Sequence, residues 1–451
     1  MKKRRMWAGL MAGAMAVGSL AGCGGGGAST TAAPTTAASQ TETTAAAAGG
    51  DTTTAAASGE QVTIKVSLWD YSNTDYYKTI FSAFEAKYPN IKVEAVEASS
   101  AEYDDLIQVK MASKEDFDVV FTKGTPALSA LVAKGHVLEL DDYIAQSGID
   151  EAVYSGLTQQ MQLNGKTYAV PFRKDNNLLF YNKDLFDAAG VAYPEDGMTM
   201  DEFREMAKTL TSGEGSSKVY GAHIHTWASN VNQYARRTEE YDPWGNDKSV
   251  LLPYYETILA MQNEDKSVMD YGSLKSSSTH YSGVFYNQQA AMMQMGTWFI
   301  NMMLENADFN WGVCSLPNMT GEGNTKAVGG VTPVSIGAYA KHPEEAWKFI
   351  EYVCGEEGAL VLADCGIVPG YTSDKVNEIF DALADKKPGI PENLSKYIDI
   401  DTYVIEQPMH PQGREADKII TEEHDLIMTN SISAADGLQE MTERVNEVLG
   451  Q

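Results

Sequence analysis

Cysteine is scarce. Of four in 451 residues, Cys23 sits in a leader-like segment, which leaves Cys314, Cys354 and Cys365 for the body of the chain. Three thiols allow at most one bridge, so the fold does not rest on disulfides. There is no C-x-x-C pair, no H-E-x-x-H, no P-loop, and no glycine-rich fingerprint set between a strand and a helix. The common signatures of zinc, nucleotide and dinucleotide chemistry are therefore missing. Positive charge is also short, with 34 Lys and Arg against 62 Asp and Glu and a formal net charge of −28. So acidic a surface disfavours nucleic acid and anionic lipid as partners and leans only slightly toward a neutral or cationic ligand. The one long apolar run, Met6 to Leu20, is too short to span a membrane comfortably.

That run comes after Lys2, Lys3, Arg4 and Arg5 and ends in Leu20-Ala21-Gly22-Cys23. A basic start, an apolar middle and small residues before the end make residues 1–22 a secretion signal, outside any fold reasoning. The spacing before Cys23 resembles the lipobox of bacterial lipoproteins. That implies lipidation of Cys23, with the two or more acyl chains that stable membrane attachment requires. Residues 23–59 are Gly, Ala, Thr and Ser with almost no large apolar side chain, the composition of a flexible tether. The body of the chain, from Glu60 onward, is long enough for two domains with cores of their own.

The chain is organised around Asn164 to Gly190. Asn164-Gly165 is the dipeptide of a tight hairpin turn. Tyr168, Val170 and Phe172 then alternate as in a half-buried strand, and Pro171 places that strand at an edge or near its end. Five polar residues, Arg173 to Asn177, separate it from a second apolar run, Leu178 to Tyr181. No turn glycine lies between them, which suggests one ribbon passing from one domain into another. Gly165 to Pro171 and Tyr181 to Gly190 (YNKDLFDAAG) resemble the paired motifs of extracellular solute-binding protein family 1, the sugar-binding lipoproteins of ABC importers related to maltose-binding protein.

The resemblance implies an α/β, two-lobed periplasmic-binding-protein-like fold of type II. Each lobe is then a sheet flanked by helices, joined by hinge crossings. It divides the chain into an N-terminal lobe of 60–172 and 333–380 and a C-terminal lobe of 173–332 and 381–451.

In order, Val62, Ile64, Val66 and Leu68 alternate as a strand. Ser72 with Asp75 can cap a helix whose inner face is Tyr77, Ile80, Phe81, Phe84 and Tyr88. Ile91, Val93 and Ala95 make a second strand, so this is a β-α-β unit with a parallel pair. A helix at Tyr103 to Ala112, a short buried strand at Phe117 to Phe121 and a helix at Leu128 to Lys134 come next. Ligands of open α/β sheets bind beyond the carboxyl ends of the strands, which singles out Trp69, Asp70 and Tyr71, then Thr122 and Lys123.

Past the crossing, Thr199 to Glu202 is a capping box opening a helix through Phe203, Met206, Ala207 and Leu210. Residues 211–281 fit no pattern, carry Trp227, Trp244 and many tyrosines, and have the character of loops that set ligand choice. Phe285 to Ile300 resembles a further family motif, with Gln288 in place of its first glycine. Ala291 to Met293 reads there as a buried strand, and Gly296 allows close backbone approach before Trp298. Trp311 to Pro317 is another strand. Gly329-Gly330 precedes an alternating strand, Val331 to Tyr339, that returns to the first lobe. Pro343 opens a helix. In this family the loop Gly366 to Tyr371 reaches the cleft, and Ile432 to Leu449 is an amphipathic helix of the second lobe.

Catalytic alternatives are weak. His223 and His225 can share a strand face but lack a third ligand for zinc. With 62 acidic residues a pair suited to glycoside hydrolysis carries no information. The run Met292, Met293, Met295, Met302 and Met303 suits core filling. There remains a cleft of aromatics and polar groups, matched to sugar ring faces and hydroxyls. Its expected lining is Trp69, Asp70, Tyr71, Thr122, Lys123, Arg173, Asp175, Trp227, Trp298, Gly330 and Tyr371. Trp69 and Trp227 fit core packing equally well, as Asp70, Lys123, Arg173 and Asp175 fit solvated loops. Only Trp298 is favoured by its motif. The expectation is a monomeric carbohydrate-binding lipoprotein serving an ABC permease, with no covalent chemistry, cofactor or metal. A non-sugar solute on the same fold and a secreted carbohydrate-active enzyme are the alternatives.

Overall fold

The structure is a computed structural model and describes residues 60–238, 241–321, 326–400 and 402–451. The leader, Cys23 and the low-complexity segment lie outside the described residues.

The chain opens with β1 (Val62–Trp69), α1 (Asp75–Lys87), β2 (Ile91–Ala98), α2 (Ser100–Ala112), β3 (Val119–Phe121) and α3 (Thr125–Ala133). The hairpin at Asn164-Gly165, both at positive φ, leads into β4 (Val170–Lys174) and β5 (Asn177–Asn182). Next come α4 (Met200–Leu210), β6 (Tyr220–His223), α5 (Ser229–Thr238), β7 (Ala290–Gly296), α6 (Phe299–Asn306) and β8 (Trp311–Ser315). The last third holds β9 (Ala327–Gly329), β10 (Val331–Ile336), α7 (Pro343–Cys354), α8 (Glu356–Asp364), α9 (Asp374–Ala382), β11 (Tyr403–Ile405), α10 (Gly413–Met428) and α11 (Ala434–Leu449).

These strands form two main sheets. The first, in order β2-β1-β3-β10-β4, is parallel across β2, β1 and β3 and antiparallel on both sides of β10. Pro171 lies in β4, the last strand of the sheet, where proline is tolerated. It faces Pro333, next to a register shift between Thr332 and Pro333, so the proline inside the sheet also sits at an irregularity. The second sheet, β6-β7-β5-β8, is built on β5, every residue of which is buried. A short parallel pair, β9 with β11, forms a third element.

The apolar patterns fold as their periods require. The capping box on α4 is complete: Glu202 N–H donates to Thr199 Oγ1 at 3.1 Å and Thr199 N–H to Glu202 Oε2 at 2.8 Å. The cap expected from Ser72 is not made. Ser72 N–H and hydroxyl turn to Glu97 on β2, and Thr74, at the N-cap of α1, makes no side-chain cap bond. Cys314, Cys354 and Cys365 are all free thiols.

Two crossings join the sheets. Arg173 and Lys174 still belong to β4 and Asn177 begins β5, so the expected five-residue polar link is only Asp175-Asn176. The return is Gly330, between β9 and β10. The crossings touch: Asp175 N–H donates to Gly330 O at 2.9 Å. Tyr403 Oη reaches Asp175 O at 2.7 Å and Gly330 O at 2.6 Å. From the other side the buried Arg237 donates to Asn176 Oδ1 at 2.6 Å and to the Asn177 and Val328 carbonyls.

Packing divides the C-terminal third differently from the expected boundary at 380/381. On α8, Leu362 lies in the first lobe's core and Ala359 and Ala363 in a core of the second. Val376 and Phe380 of α9 already pack with the second lobe, whereas Tyr403 and Ile405 return to the first. The chain therefore crosses more often than two motifs suggest, because α8 has apolar residues on two faces.

Gly329 marks how tight the waist is. A Cβ on it would overlap the Asp175 carbonyl. Gly329→Ala is therefore expected to lower stability by about 1–3 kcal/mol, as overpacking does. The measurement is a urea melt with a lower midpoint and an unchanged slope.

Candidate functional site

The crossings carry the charged groups of the site. Arg173, on β4, donates from Nε to Thr332 Oγ1 at 3.0 Å, and its Nη1 stands 4.0 Å from Asp175 Oδ1. Both side chains are largely buried, 13 % and 9 % exposed. Burial pulls the Arg173 pKa down, but Tyr76 and Asp175 beside it more than offset this, and it ends above its ordinary value. Burial raises the Asp175 carboxyl, opposed by Arg173 and by the Trp298 backbone N–H. The pair presents donors and acceptors at one place without net charge.

Aromatic rings from both lobes close around it. Tyr76, on α1, and Tyr281, from the second lobe, each lie within electrostatic reach of Arg173 and Asp175, and of one another. Trp298 comes just after the β7 glycine, Gly296, and its six-membered ring lies over that bare Cα, where any Cβ would collide with it. Its Nε1 donates to Tyr281 Oη at 3.3 Å, which fixes the ring's direction. Trp227, 37 % exposed, stands edge-on to Trp298 with centroids 6.0 Å apart. His225 packs under Trp227 at 4.5 Å and against Tyr281 at 5.4 Å. His280 stacks on Tyr281 at 4.2 Å and lies within reach of Asp70 from the first lobe. Burial lowers the His225 pKa to about 4, so the ring is neutral near pH 7.

Of the eleven residues expected to line the cleft, the structure brings together Asp70, Arg173, Asp175, Trp227, Trp298 and Gly330. It sets the others elsewhere. Trp69 is a core residue, 8 % exposed and packed on Tyr103 and Tyr77, because its side chain falls on the helix-covered face of β1. Tyr71 stacks on Phe81 at 5.5 Å. Thr122 is fully buried, its hydroxyl on Pro333 O at 3.4 Å. Lys123 bonds Ser100 O at 2.6 Å and pairs with Asp104 at 3.4 Å. Tyr371 packs edge-on to Tyr154, among Glu356, Lys375 and Asp150 rather than the cleft charges. Even Asp70 is partly engaged, since its Oδ1 accepts from Ser100 N–H at 2.9 Å.

Sequence reasoning missed Tyr76, Tyr281, His280 and Glu406. Tyr281 closes the tyrosine-rich segment 211–281, the one available signal for it. Glu406 comes directly after β11, and only the fold carries it back to Gly330. His223 is fully buried, with both ring nitrogens unpartnered among the described residues. Among those residues no three His, Cys, Asp or Glu side chains come together as a metal site.

Two α/β lobes joined at a narrow waist, with an aromatic and charged site at their seam, define a two-lobed ligand-binding protein. The chain belongs to the bacterial extracellular solute-binding protein family, whose sequence profile matches residues 70–360. A sugar transporter of Rhizobium etli, solved in an open conformation, is 34 % identical, with 85 % of this chain and 99 % of that one covered and a TM-score of 0.71. A substrate-binding protein of Listeria monocytogenes in complex with cycloalternan shares the fold at 19 % identity, with 87 % and 100 % covered and a TM-score of 0.75. The melibiose/raffinose/stachyose-binding protein MelE of Bacillus subtilis is 23 % identical over 334 residues, 71 % of this chain and 76 % of MelE.

Because the Trp298 ring rests on Gly296, Gly296→Ala is expected to push the ring off its place while the fold holds. Near-ultraviolet circular dichroism should change in the tryptophan band with the far-ultraviolet spectrum unaltered, and overpacking should cost about 1–3 kcal/mol.

Proposed function

We propose that the protein captures a carbohydrate, an oligosaccharide rather than a single ring, in the cleft between its lobes and delivers it to the permease of an ABC importer. The observation that carries this reading is Trp298, held flat over Gly296 and tied to Tyr281, beside the Arg173–Asp175 pair. A sugar offers an apolar ring face to such a platform and hydroxyls to such a pair. Trp227, exposed next to Trp298, extends the platform beyond one ring, which favours a chain of sugars. The sugar-binding names among the relatives support the ligand class.

The work is recognition and hinge closure, for which periplasmic binding proteins are a standing example. Ligand touching both Tyr76 and Tyr281 stabilises the closed arrangement over the open one, and the population shifts accordingly. The motion concentrates at Asp175-Asn176 and Gly330. On this reading the chain performs no covalent step, acts as a monomer, and is held by lipid on Cys23 at the outer face of the cell membrane.

A thermal-shift screen over mono- and oligosaccharides identifies the ligand. Trp298→Ala should then weaken binding about tenfold or more, since about 1.4 kcal/mol is a factor of ten. Retained affinity would remove Trp298 from the site. Small-angle scattering should give a smaller radius of gyration at saturation; an unchanged value argues against closure. Turnover of labelled glycans by the purified protein would favour an enzyme instead.

The anchor has its own test. Cys23→Ser should move the protein from the membrane fraction to the soluble one with its melting temperature unchanged, and unaltered fractionation would count against lipidation.

A further inference from the structure

Two hydrogen-bond acceptors at the floor of the cleft have no donor among the described residues. Glu406 accepts at Oε2 from Gln233 Nε2, and no described residue donates to its Oε1. Gln233, on α5, is 2 % exposed, and its Oε1 has no partner among the described residues. Asp175 stands close by. A Cβ built on Gly330 would lie 3.6 Å from Glu406 Oε1 and 4.0 Å from Asp175 Oδ2. The two carboxylates thus flank one vacant spot above a backbone that carries no side chain. A buried acceptor without a donor, as Gln233 Oε1 is among the described residues, is costly, and with the Glu406 Oε1 beside the bare Cα of Gly330 it calls for a donor from outside.

We propose that Glu406, Gln233 and Asp175 form a subsite, around the bare Cα of Gly330, for hydrogen-bond donors of the ligand, the hydroxyl groups of a sugar. The proposal rests on the carbohydrate reading above and adds to it the residues that grip the ligand from the floor. It also makes binding proton-linked. Glu406 faces Asp175 on the crossing, Asp417 on α10, Gln233 and Arg236 on α5, and Tyr403 on its own segment. Burial, then Asp417 and Asp175, push its pKa up to about 7 against Gln233 and Arg236. Burial likewise lifts Asp417 to about 6. A donor held by the carboxylate favours its ionised form. The bound pKa therefore lies below the free one, and affinity is full above the free pKa and declines as pH falls beneath it.

The test uses the intact chain with Glu406→Gln and Gly330→Ala. The first keeps the shape and an acceptor but loses the charge. The second puts a methyl into the vacant spot at ordinary contact distances. Equal far-ultraviolet spectra and melting curves establish that both fold. Raffinose, maltose and mannotriose serve as neutral probes, glucosamine and spermidine as amine probes, in titrations near pH 8 and near pH 5.5. Both variants should weaken the sugar that binds about tenfold. The wild type should lose affinity at the lower pH, and Glu406→Gln should show a flatter profile. A sugar that binds all three proteins equally, with one pH profile, overturns the subsite and leaves the carbohydrate reading standing. Glu406-dependent binding of the amines alone keeps the donor subsite and removes the carbohydrate reading. Binding by none of the probes overturns the subsite.

Discussion

Everything about this molecule hangs on the hydrogen bond between Asp175 N–H and Gly330 O. It ties together the two short crossings at the waist, and Tyr403 Oη and Arg237 brace it from either side. The bracing is costly, because Arg237 is 1 % exposed and its Nη2 bonds only neutral oxygens. Burial lowers its pKa to about 10, which still leaves it charged near neutral pH. A buried cation answered by carbonyl dipoles alone loses much if any one of them moves. On the proposed reading, flexing is confined to the few bonds of the crossings.

The waist also explains why the site lies where it does. The residues that pass between the sheets are the same ones that present Arg173, Asp175 and Gly330 to the cleft. A ligand gripping them touches the hinge itself, while Tyr76 and the Trp298–Tyr281 pair reach it from opposite lobes. On the proposed reading, binding energy collected at the floor and on the walls bears directly on the angle between the lobes.

Much of the architecture was legible because its signals are local. The Asn164-Gly165 turn, the Thr199–Glu202 box and Pro171 at a sheet edge are present as read, whereas Gly296, read as a place of close backbone approach, lies instead under the side-chain ring of Trp298. The features that could not be read depend on long-range closure. Trp69 and Thr122 sit at strand ends, where ligand contacts are common, yet both are absorbed by the core. Tyr371 is turned toward Tyr154 instead of the cleft charges. Glu406 reaches the floor only because β11 pairs with β9, a strand far from it in sequence. A strand's end tells where a cleft opens; which side chain looks into it is settled by packing that no window of sequence contains.

The place of β10 in the first sheet has a consequence for biogenesis. It lies between β3 and β4, so β3 has only β1 beside it and β4 lacks its partner strand until residues 331–336 have emerged, long after both were made. The first lobe therefore cannot close as an N-terminal unit while the second is still being made, as consecutive domains do when they fold during synthesis. Its pairings span large sequence separations, which makes closure intrinsically slow.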